Sequence, residues 1–337
     1  MATKLSVVFS RHADKDWELL SKQWENRAQE LWEKYWVGSH VRSYCSYIPR
    51  TQRTIYMALW ADHDKTTEEI RDNLDYHDKP IVDPRLCWYF WDDCKTEKER
   101  EAYHEAIKSF KDTHDYFDGF ILNKSDDWLV ELDDPRISSY SKCAWDIAEI
   151  YLHYYQAKDK RINKVNNKMK TNNESWDING LRLNCTHSWV IELFLMKLLE
   201  KKHPEDKNFV KNFIKDNGLS NGFMPCEFYR MDFSEGGMKL YYKDMDPIDV
   251  SEEDLKSIIK DRDNLYKKID VLPDDSRISR FPWVQKAVRN SEIKDRVIAT
   301  YQKTSDWDLV LVDDQGNFYS DDAIYSSIQK SEIFSAS

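Results

Sequence analysis

The sequence predicts an α/β fold with a mixed, largely parallel sheet flanked by helices, followed by a C-terminal extension. Three short strand-like segments are each followed by a polar turn and a helical pattern, over residues 4–35, 41–60 and 181–199. Strands that alternate with helices favour parallel pairing, because parallel neighbours need a crossover connection. We therefore expect one α/β domain over residues 1–246 and an extension of mixed helix and strand over 247–337.

The first element is the apolar run KLSVVFS at 4–10, which is typical of a short buried strand. A polar turn follows, and apolar residues at helical spacing then predict a long helix over about 17–35. A second strand is predicted at 41–46 and a second helix at 51–60, separated by a turn at Pro49.

The middle of the chain continues with helices predicted over 98–113 and 140–162. The Asn- and Lys-rich stretch at 163–174 predicts a solvated loop. A compact strand at 181–186 and an apolar helix at 189–199 repeat the strand, turn and helix order.

The last part of the predicted domain is a hairpin, Cys226–Phe233 and Met238–Lys243, around Gly236 and Gly237. Beyond residue 247 the chain is charged and helical in pattern, and a strand-like segment follows at 306–319.

Composition excludes several function classes. The net charge of -11 argues against a duplex nucleic-acid binder, since phosphate backbones are bound by basic surfaces. No apolar run is long enough to span a membrane, and no secretory leader precedes the first strand, so we expect a cytoplasmic protein. The composition does not predict the oligomeric state.

The cysteine and glycine contents argue against a bound metal and a nucleotide cofactor. The six cysteines are scattered without metal-ligand spacing, so we expect reduced thiols and no bound metal. Only eight glycines occur, and neither dinucleotide nor nucleotide phosphate loops are present, so we expect no cofactor.

Polar residues follow three of the predicted strands at their carboxyl ends, which is the edge where binding sites of open α/β sheets lie. Arg11 and His12 follow the first strand, Arg50 lies in the turn before the second helix, and His187 follows the strand at 181–186. Arginine offers a planar set of donors that matches phosphate oxygens. A helix N-terminus also favours bound anions, so this pattern predicts a phosphate site.

Together these motifs resemble the histidine phosphatase (phosphoglycerate mutase-like) superfamily, whose pattern is RHG, then SPLxRAxxT, then HGG or HSG before an apolar helix. Arg11-His12-Ala13 is similar to the first motif. Ser46, Arg50 and Thr54 fit the second, and His187-Ser188 with the run VIELFLMKLL fits the third. The resemblance covers roughly residues 4–245 and implies a three-layer αβα fold.

The resemblance implies that His12 attacks a phosphate monoester and forms a phosphohistidine, which water or a second acceptor then discharges. Arg11, Arg50 and His187 would hold the phosphoryl oxygens. The implied substrate is a phosphorylated small molecule or a phosphoprotein, and the mechanism needs no metal or cofactor.

The chain departs from the family pattern at its proton donor and at two glycines. The acidic residue of phosphoglycerate mutase-like members falls on Trp88, and the donor position of the acid phosphatase branch falls on Ser188. Asp92 is the candidate for a displaced donor. The glycines after the two histidines are replaced by Ala13 and Trp189.

These departures leave alternatives open. One is an inactive or slow pseudophosphatase that acts as a binding scaffold. Another is a phosphotransferase of the phosphoglycerate mutase type, and a third is an unassigned α/β protein whose motif match is coincidental.

Overall fold

A mixed sheet forms the centre of the fold. The computed structural model describes residues 5–13, 15–16, 19–20, 22–35, 40–46, 48–60, 65–73, 80–86, 101, 105, 116–132, 138–171, 180–234, 236–269, 297–302, 309–313 and 318–319. In chain order, the strands up to residue 250 are β1 (Leu5–Arg11), β2 (Lys15–Asp16), β3 (Leu19–Leu20), β4 (His40–Cys45), β5 (Ile81–Val82), β6 (Gly180–Thr186), β7 (Phe228–Ser234), β8 (Gly237–Tyr242) and β9 (Ile248–Val250).

Seven of these strands pair in the order β5-β4-β6-β1-β7-β8-β9. The pairs among β5, β4, β6 and β1 are parallel, whereas β7, β8 and β9 follow as an antiparallel meander. Every residue of β6 and all but the last of β1 are buried, as expected for central strands covered on both faces. The predicted mixed sheet is confirmed, as is the hairpin of β7 and β8, and three of the six strand pairs described for this sheet are parallel.

Helices cover both faces of this sheet. The α-helices are α1 (Lys22–Tyr35), α2 (Pro49–Trp60), α3 (Thr67–Asn73), α4 (Ser125–Leu132), α5 (Tyr140–Thr171), α6 (Ile191–Lys202), α7 (Phe209–Asp216) and α8 (Glu252–Tyr266). Single turns of tighter or wider helix occur at Pro84–Leu86, Tyr116–Leu122, Leu219–Asn221 and Lys267–Ile269.

One face of the sheet packs on α1 and α2. Val8, Leu183 and Cys185 of the central strands share a buried apolar cluster with Ala28 of α1 and Ile55 of α2. The burial of these side chains stabilises this layer through the hydrophobic effect.

The other face packs on α5 and α6. Phe9 of β1 meets Tyr151 of α5 edge to face with ring centroids 5.1 Å apart, and Tyr151 also contacts Phe194 of α6 at 5.1 Å. Aromatic pairs prefer this tilted packing. Helices on both sides of one sheet confirm the predicted three-layer αβα fold.

Two sequence-based predictions are wrong in detail. The helix predicted from about residue 17 begins at Lys22, because residues 15–20 contain the short hairpin of β2 and β3. Four or five residues are too few for periodicity to separate strand from helix. The loop predicted at 163–174 is helical as far as Thr171 in α5. This stretch has no Gly or Pro, and extending an existing helix is easier than starting one.

The chain divides into two compact units. The first consists of residues 1–125 and 138–261, and the second of 126–137 and 262–337. β9 extends the main sheet beyond residue 246. The boundary that we place at 246 stays a prediction. Of the predicted helix at 98–113, only residues 101 and 105 are described, and both are helical.

The second unit contains a small antiparallel sheet. Its strands are β10 (Val297–Gln302), β11 (Leu309–Asp313) and β12 (Phe318–Tyr319), paired in that order. Of the strand-like segment that the sequence predicts at 306–319, the described residues form β11 and β12.

Candidate active site

The carboxyl ends of three neighbouring parallel strands form the site. In the sheet, β6 lies between β4 and β1, with Cys45 beside Cys185 and Arg11 beside Thr186. The residues that follow the three strands therefore meet at one edge. This brings Ser46, His187 and His12 together, in agreement with the general placement of sites in open α/β sheets.

His12 is held by backbone on two sides. Its N–H donates to the carbonyl of Thr186 at 2.8 Å, and its Nδ1 lies 2.5 Å from the carbonyl of Ala13. A carbonyl oxygen can only accept, so Nδ1 carries the proton. The neutral imidazole then keeps its lone pair on Nε2, which is the form that a nucleophilic histidine requires.

His187 lies beside His12, with ring centroids 5.3 Å apart. Its Nε2 is 2.7 Å from Oγ of Ser46, and its Nδ1 is 3.4 Å from Nη2 of Arg50. A guanidinium only donates, so Nδ1 accepts and Nε2 donates its proton to the serine hydroxyl. Ser46 and Arg50 thus fix the neutral tautomer of His187.

The charges around His187 favour this neutral form. Burial lowers the pKa of His187 well below 6.5, and the pKa is lowered further by His12 whenever that ring is protonated and by the guanidinium groups of Arg50 and Arg11. Cationic neighbours disfavour another positive charge, whereas an anion bound among them would favour one. The site therefore carries positive potential that suits an anionic ligand.

Arg11 is anchored by the loop before β7. Its backbone N–H donates to the carbonyl of Glu227 at 2.9 Å, and its Nη1 donates to the carbonyl of Phe223. In the part of the chain that the structure describes, the buried Nε of Arg11 meets no acceptor. A buried guanidinium with an unused donor is suited to a charged oxygen ligand.

Arg50 lies in the first turn of α2. Pro49 occupies the first helical position, where its fixed φ suits the helix and its missing N–H costs nothing. The amino end of this helix therefore points toward the same edge as the arginine. Free N–H groups and the helix dipole add to the attraction for an anion.

Ala13 and Trp189 occupy the two positions where the family pattern has glycine. Ala13 donates to Oγ1 of Thr54 at 3.0 Å, and that hydroxyl donates to the carbonyl of Arg50 at 2.8 Å. Trp189 has a φ of 70°, a left-handed conformation that favours glycine. Its ring packs on Phe117, with centroids 4.9 Å apart.

The structure brings together four of the five predicted site residues, His12, Arg11, Arg50 and His187. Asp92 and the neighbouring Trp88 lie outside the described residues.

Two further residues at the site were missed as participants. Ser46 could have been found from the sequence, because it is the first residue of the second motif. Glu192 gives a weaker signal, as an acidic residue inside an apolar helix, and it is fully buried.

The carboxylate of Glu192 accepts hydrogen bonds from Ser188, Trp189 and Phe223. Burial raises its pKa above 4.5, whereas the backbone N–H of Phe223 and the charge of Arg11 work in the opposite direction. A buried carboxylate needs such partners to remain in place.

The remaining sequence expectations concern metals, thiols and membranes. Among the residues described, no group of His, Cys, Asp and Glu side chains has the arrangement of a metal site. Cys45, Cys185 and Cys226 are free, buried thiols, and Cys143 is buried as well. None of the described helices combines the length and the apolar character that crossing a membrane would require.

No family model and no curated protein matches the chain. Solved structures do match. A mycobacterial protein described as hydrolase 2 is 11% identical with a TM-score of 0.40, over 77% of this chain and 97% of that chain. Phosphoserine phosphatase from Entamoeba histolytica is 11% identical with a TM-score of 0.36, over 73% and 95%. A mycobacterial glucosyl-3-phosphoglycerate phosphatase is 12% identical with a TM-score of 0.35, over 68% and 90%.

The two named phosphatases are members of the histidine phosphatase family, the family that the sequence motifs resemble. With TM-scores of 0.40 and below, these likenesses do not define the activity of this chain.

Proposed function

We propose that this chain is a divergent histidine phosphatase that hydrolyses phosphate monoesters through a phosphohistidine on His12. The observation that carries the proposal is the 2.5 Å contact between Nδ1 of His12 and the carbonyl of Ala13. In the neutral ring, a proton on Nδ1 leaves the lone pair on Nε2, and this supports the proposal because the same edge of the sheet also holds two arginines and a second histidine.

The proposed reaction has two steps. Nε2 of His12 attacks phosphorus, the bond from phosphorus to the ester oxygen breaks, and the departing oxygen takes a proton from an acid. Water then attacks the phosphohistidine, the bond from phosphorus to nitrogen breaks, and inorganic phosphate leaves. The imidazole returns to its starting form.

The positive groups supply most of the stabilisation of the transferring phosphoryl group, whose charge is spread over its oxygens. Arg11 and Arg50 donate to those oxygens. A bound phosphoryl dianion also raises the proton affinity of His187, because an opposite charge favours the cationic form. His187 can then donate from Nδ1, the atom that now accepts from Arg50.

Asp92 remains our candidate for the acid that protonates the leaving oxygen. An Asp92→Asn variant should slow hydrolysis of an alkyl phosphate more than that of p-nitrophenyl phosphate, because nitrophenolate leaves readily without a proton. We further propose a phosphorylated small molecule or phosphoprotein as substrate. A reducing, cytoplasmic location is in keeping with the free thiols.

The test is hydrolysis of p-nitrophenyl phosphate between pH 4 and 8 by the wild type, His12→Ala and His153→Ala. His153 is an exposed histidine on α5 and serves as the matched control. We expect activity in the wild type and His153→Ala, and a loss of about a thousandfold or more in His12→Ala.

Labelled phosphate trapped on the wild type, but not on His12→Ala, would identify the intermediate. Equal activity in all three proteins would contradict the proposal. A folded but inactive wild type would instead favour the pseudophosphatase alternative.

A further inference from the structure

The carboxylate of Glu192 lies in the first turn of α6 and is fully buried among apolar neighbours. Its partners come from two different turns. Oε2 accepts from the backbone N–H of Trp189 at 2.8 Å, and Oε1 accepts from the backbone N–H of Phe223 at 2.6 Å and from Oγ of Ser188 at 3.1 Å. The Glu192 side chain therefore links two segments, 188–189 and 222–223, which are 34 residues apart in the chain.

Each of these turns adjoins a residue that we propose binds phosphate, the first through the chain and the second through a hydrogen bond. Phe223, which donates its N–H to Glu192, accepts from Nη1 of Arg11 through its carbonyl. Trp189 follows His187 by two residues. Because hydrogen bonds restrain both turns, moving the carboxylate would move the anchor of Arg11 and the turn that orients His187.

The backbone around the carboxylate is shaped to admit it. Trp189 and Gly222 both have left-handed φ values, 70° and 75°. A Cβ at Gly222 would lie 2.6 Å from Oε1 of Glu192 and 2.6 Å from Oγ of Ser188, far inside van der Waals contact. Only glycine at this position allows the turn to approach the carboxylate so closely.

We propose that Glu192 is a positioning residue of the phosphate site, which sets the places of Arg11 and His187 by joining the turns at 188–189 and 222–223. This inference rests on the proposed function, because it assumes that Arg11 and His187 bind phosphoryl oxygens. Glu192 itself does not contact the reacting atoms.

Glu192→Gln is the direct test. The amide nitrogen of glutamine cannot accept, so one of the two backbone N–H groups loses its partner while side-chain volume is kept. We expect the inhibition constant of orthovanadate, a phosphate analogue, to rise by about tenfold or more. KM for p-nitrophenyl phosphate should rise with it, more than kcat falls.

Two other variants provide a graded comparison. Ser188→Ala removes one donor and keeps both backbone bonds, so its vanadate constant should change less than about threefold. Gly222→Ala would put a methyl group 2.6 Å from Oε1 of the same carboxylate, and it should weaken vanadate binding as Glu192→Gln does. It serves as the independent test if Glu192→Gln does not fold.

Asp146→Asn is the control for a purely structural role, because Asp146 is a buried carboxylate on α5 whose partner is Lys142. We expect it to change thermal stability and leave vanadate binding unchanged. If Glu192→Gln lowers the melting temperature but binds vanadate as tightly as the wild type, the positioning role is overturned.

Calorimetric titration with vanadate separates this inference from the proposed activity. A wild type that binds vanadate without hydrolysing p-nitrophenyl phosphate contradicts the phosphatase, yet a tenfold loss of binding in Glu192→Gln would still support the positioning role. A wild type that does not bind vanadate overturns both.

Discussion

At the residue scale, the tautomers of two histidines decide the chemistry that the site can perform. His12 faces a carbonyl through Nδ1, whereas His187 donates from Nε2 to Ser46. The two rings therefore offer different atoms to a ligand. In the reaction that we propose, His12 presents a lone pair for attack, and His187 presents a nitrogen that becomes a donor when a phosphoryl dianion favours its protonation.

Ser46→Ala tests the orientation of His187. The substitution leaves the N–H on Nε2 of a buried imidazole without its hydroxyl acceptor, a loss of about 1–3 kcal/mol that a ring flip or shift would relieve. We expect kcat/KM for p-nitrophenyl phosphate to fall by about tenfold.

Ser6→Ala is the matched control for this prediction, since Ser6 is a buried serine at the other end of β1 that donates to Asp232 at 2.6 Å. It should leave kcat/KM unchanged. Equal kinetics for the wild type and Ser46→Ala would mean that Ser46 does not set the state of His187.

At the element scale, α1 packs against α2, the helix that carries Arg50 and Thr54. A buried ion pair joins the two helices, with Nε of Arg53 at 2.8 Å from Oε1 of Glu25 and both side chains less than a tenth exposed. Arg53 also donates to the carbonyl of Lys65. Charges buried in this way are costly unless they remain paired.

Glu25→Ala should lower the free energy of unfolding by about 3–5 kcal/mol, because it leaves the Arg53 guanidinium buried without its carboxylate. Urea unfolding at neutral pH measures this change. The exposed pair of Arg27 and Glu30 on the same helix supplies the comparison, with side chains 53% and 65% exposed.

Arg27→Ala should alter stability by less than about 0.5 kcal/mol, as is usual for exposed pairs. If Glu25→Ala were as mild as Arg27→Ala, the Glu25 and Arg53 pair would not hold the two helices together.

At the scale of the whole molecule, buried charge makes stability depend on pH. Asp146 lies within the layer of α5 and pairs with Lys142 at 2.7 Å. Burial raises its pKa from 3.8 to about 6, and although Lys142 and Arg85 lower it, Glu149 adds to the increase. The folded protein therefore binds this proton more tightly than the unfolded chain does.

This difference in pKa stabilises the fold below about pH 4, and the stabilisation is lost as the pH rises through about 6. Relative to Asp146→Asn, the wild type should lose on the order of 2 kcal/mol of unfolding free energy between pH 4 and 7. Denaturant unfolding of both proteins at several pH values measures the difference. A constant difference would show that Asp146 titrates alike in the folded and unfolded states.

The sequence by itself determined the order of the main elements and the candidate chemistry. Each of the strands β1, β4 and β6 is followed by a polar turn, and Arg11, His12, Arg50 and His187 lie at or shortly after the strand ends. Local hydrophobic patterning predicts such elements because it depends only on near neighbours in the chain. The length of α5 was not predicted, since composition alone does not end a helix.

Only the tertiary structure decided how those residues act. The proton on His187 is placed by Ser46, 141 residues away, and Arg11 is anchored by Phe223, 212 residues away. In the sequence, Glu192 is only an acidic residue within an apolar helix. The role that we propose for it depends on two turns that the fold brings together. Tautomers, buried charges and anchoring bonds are set by contacts distant in sequence, which no local pattern encodes.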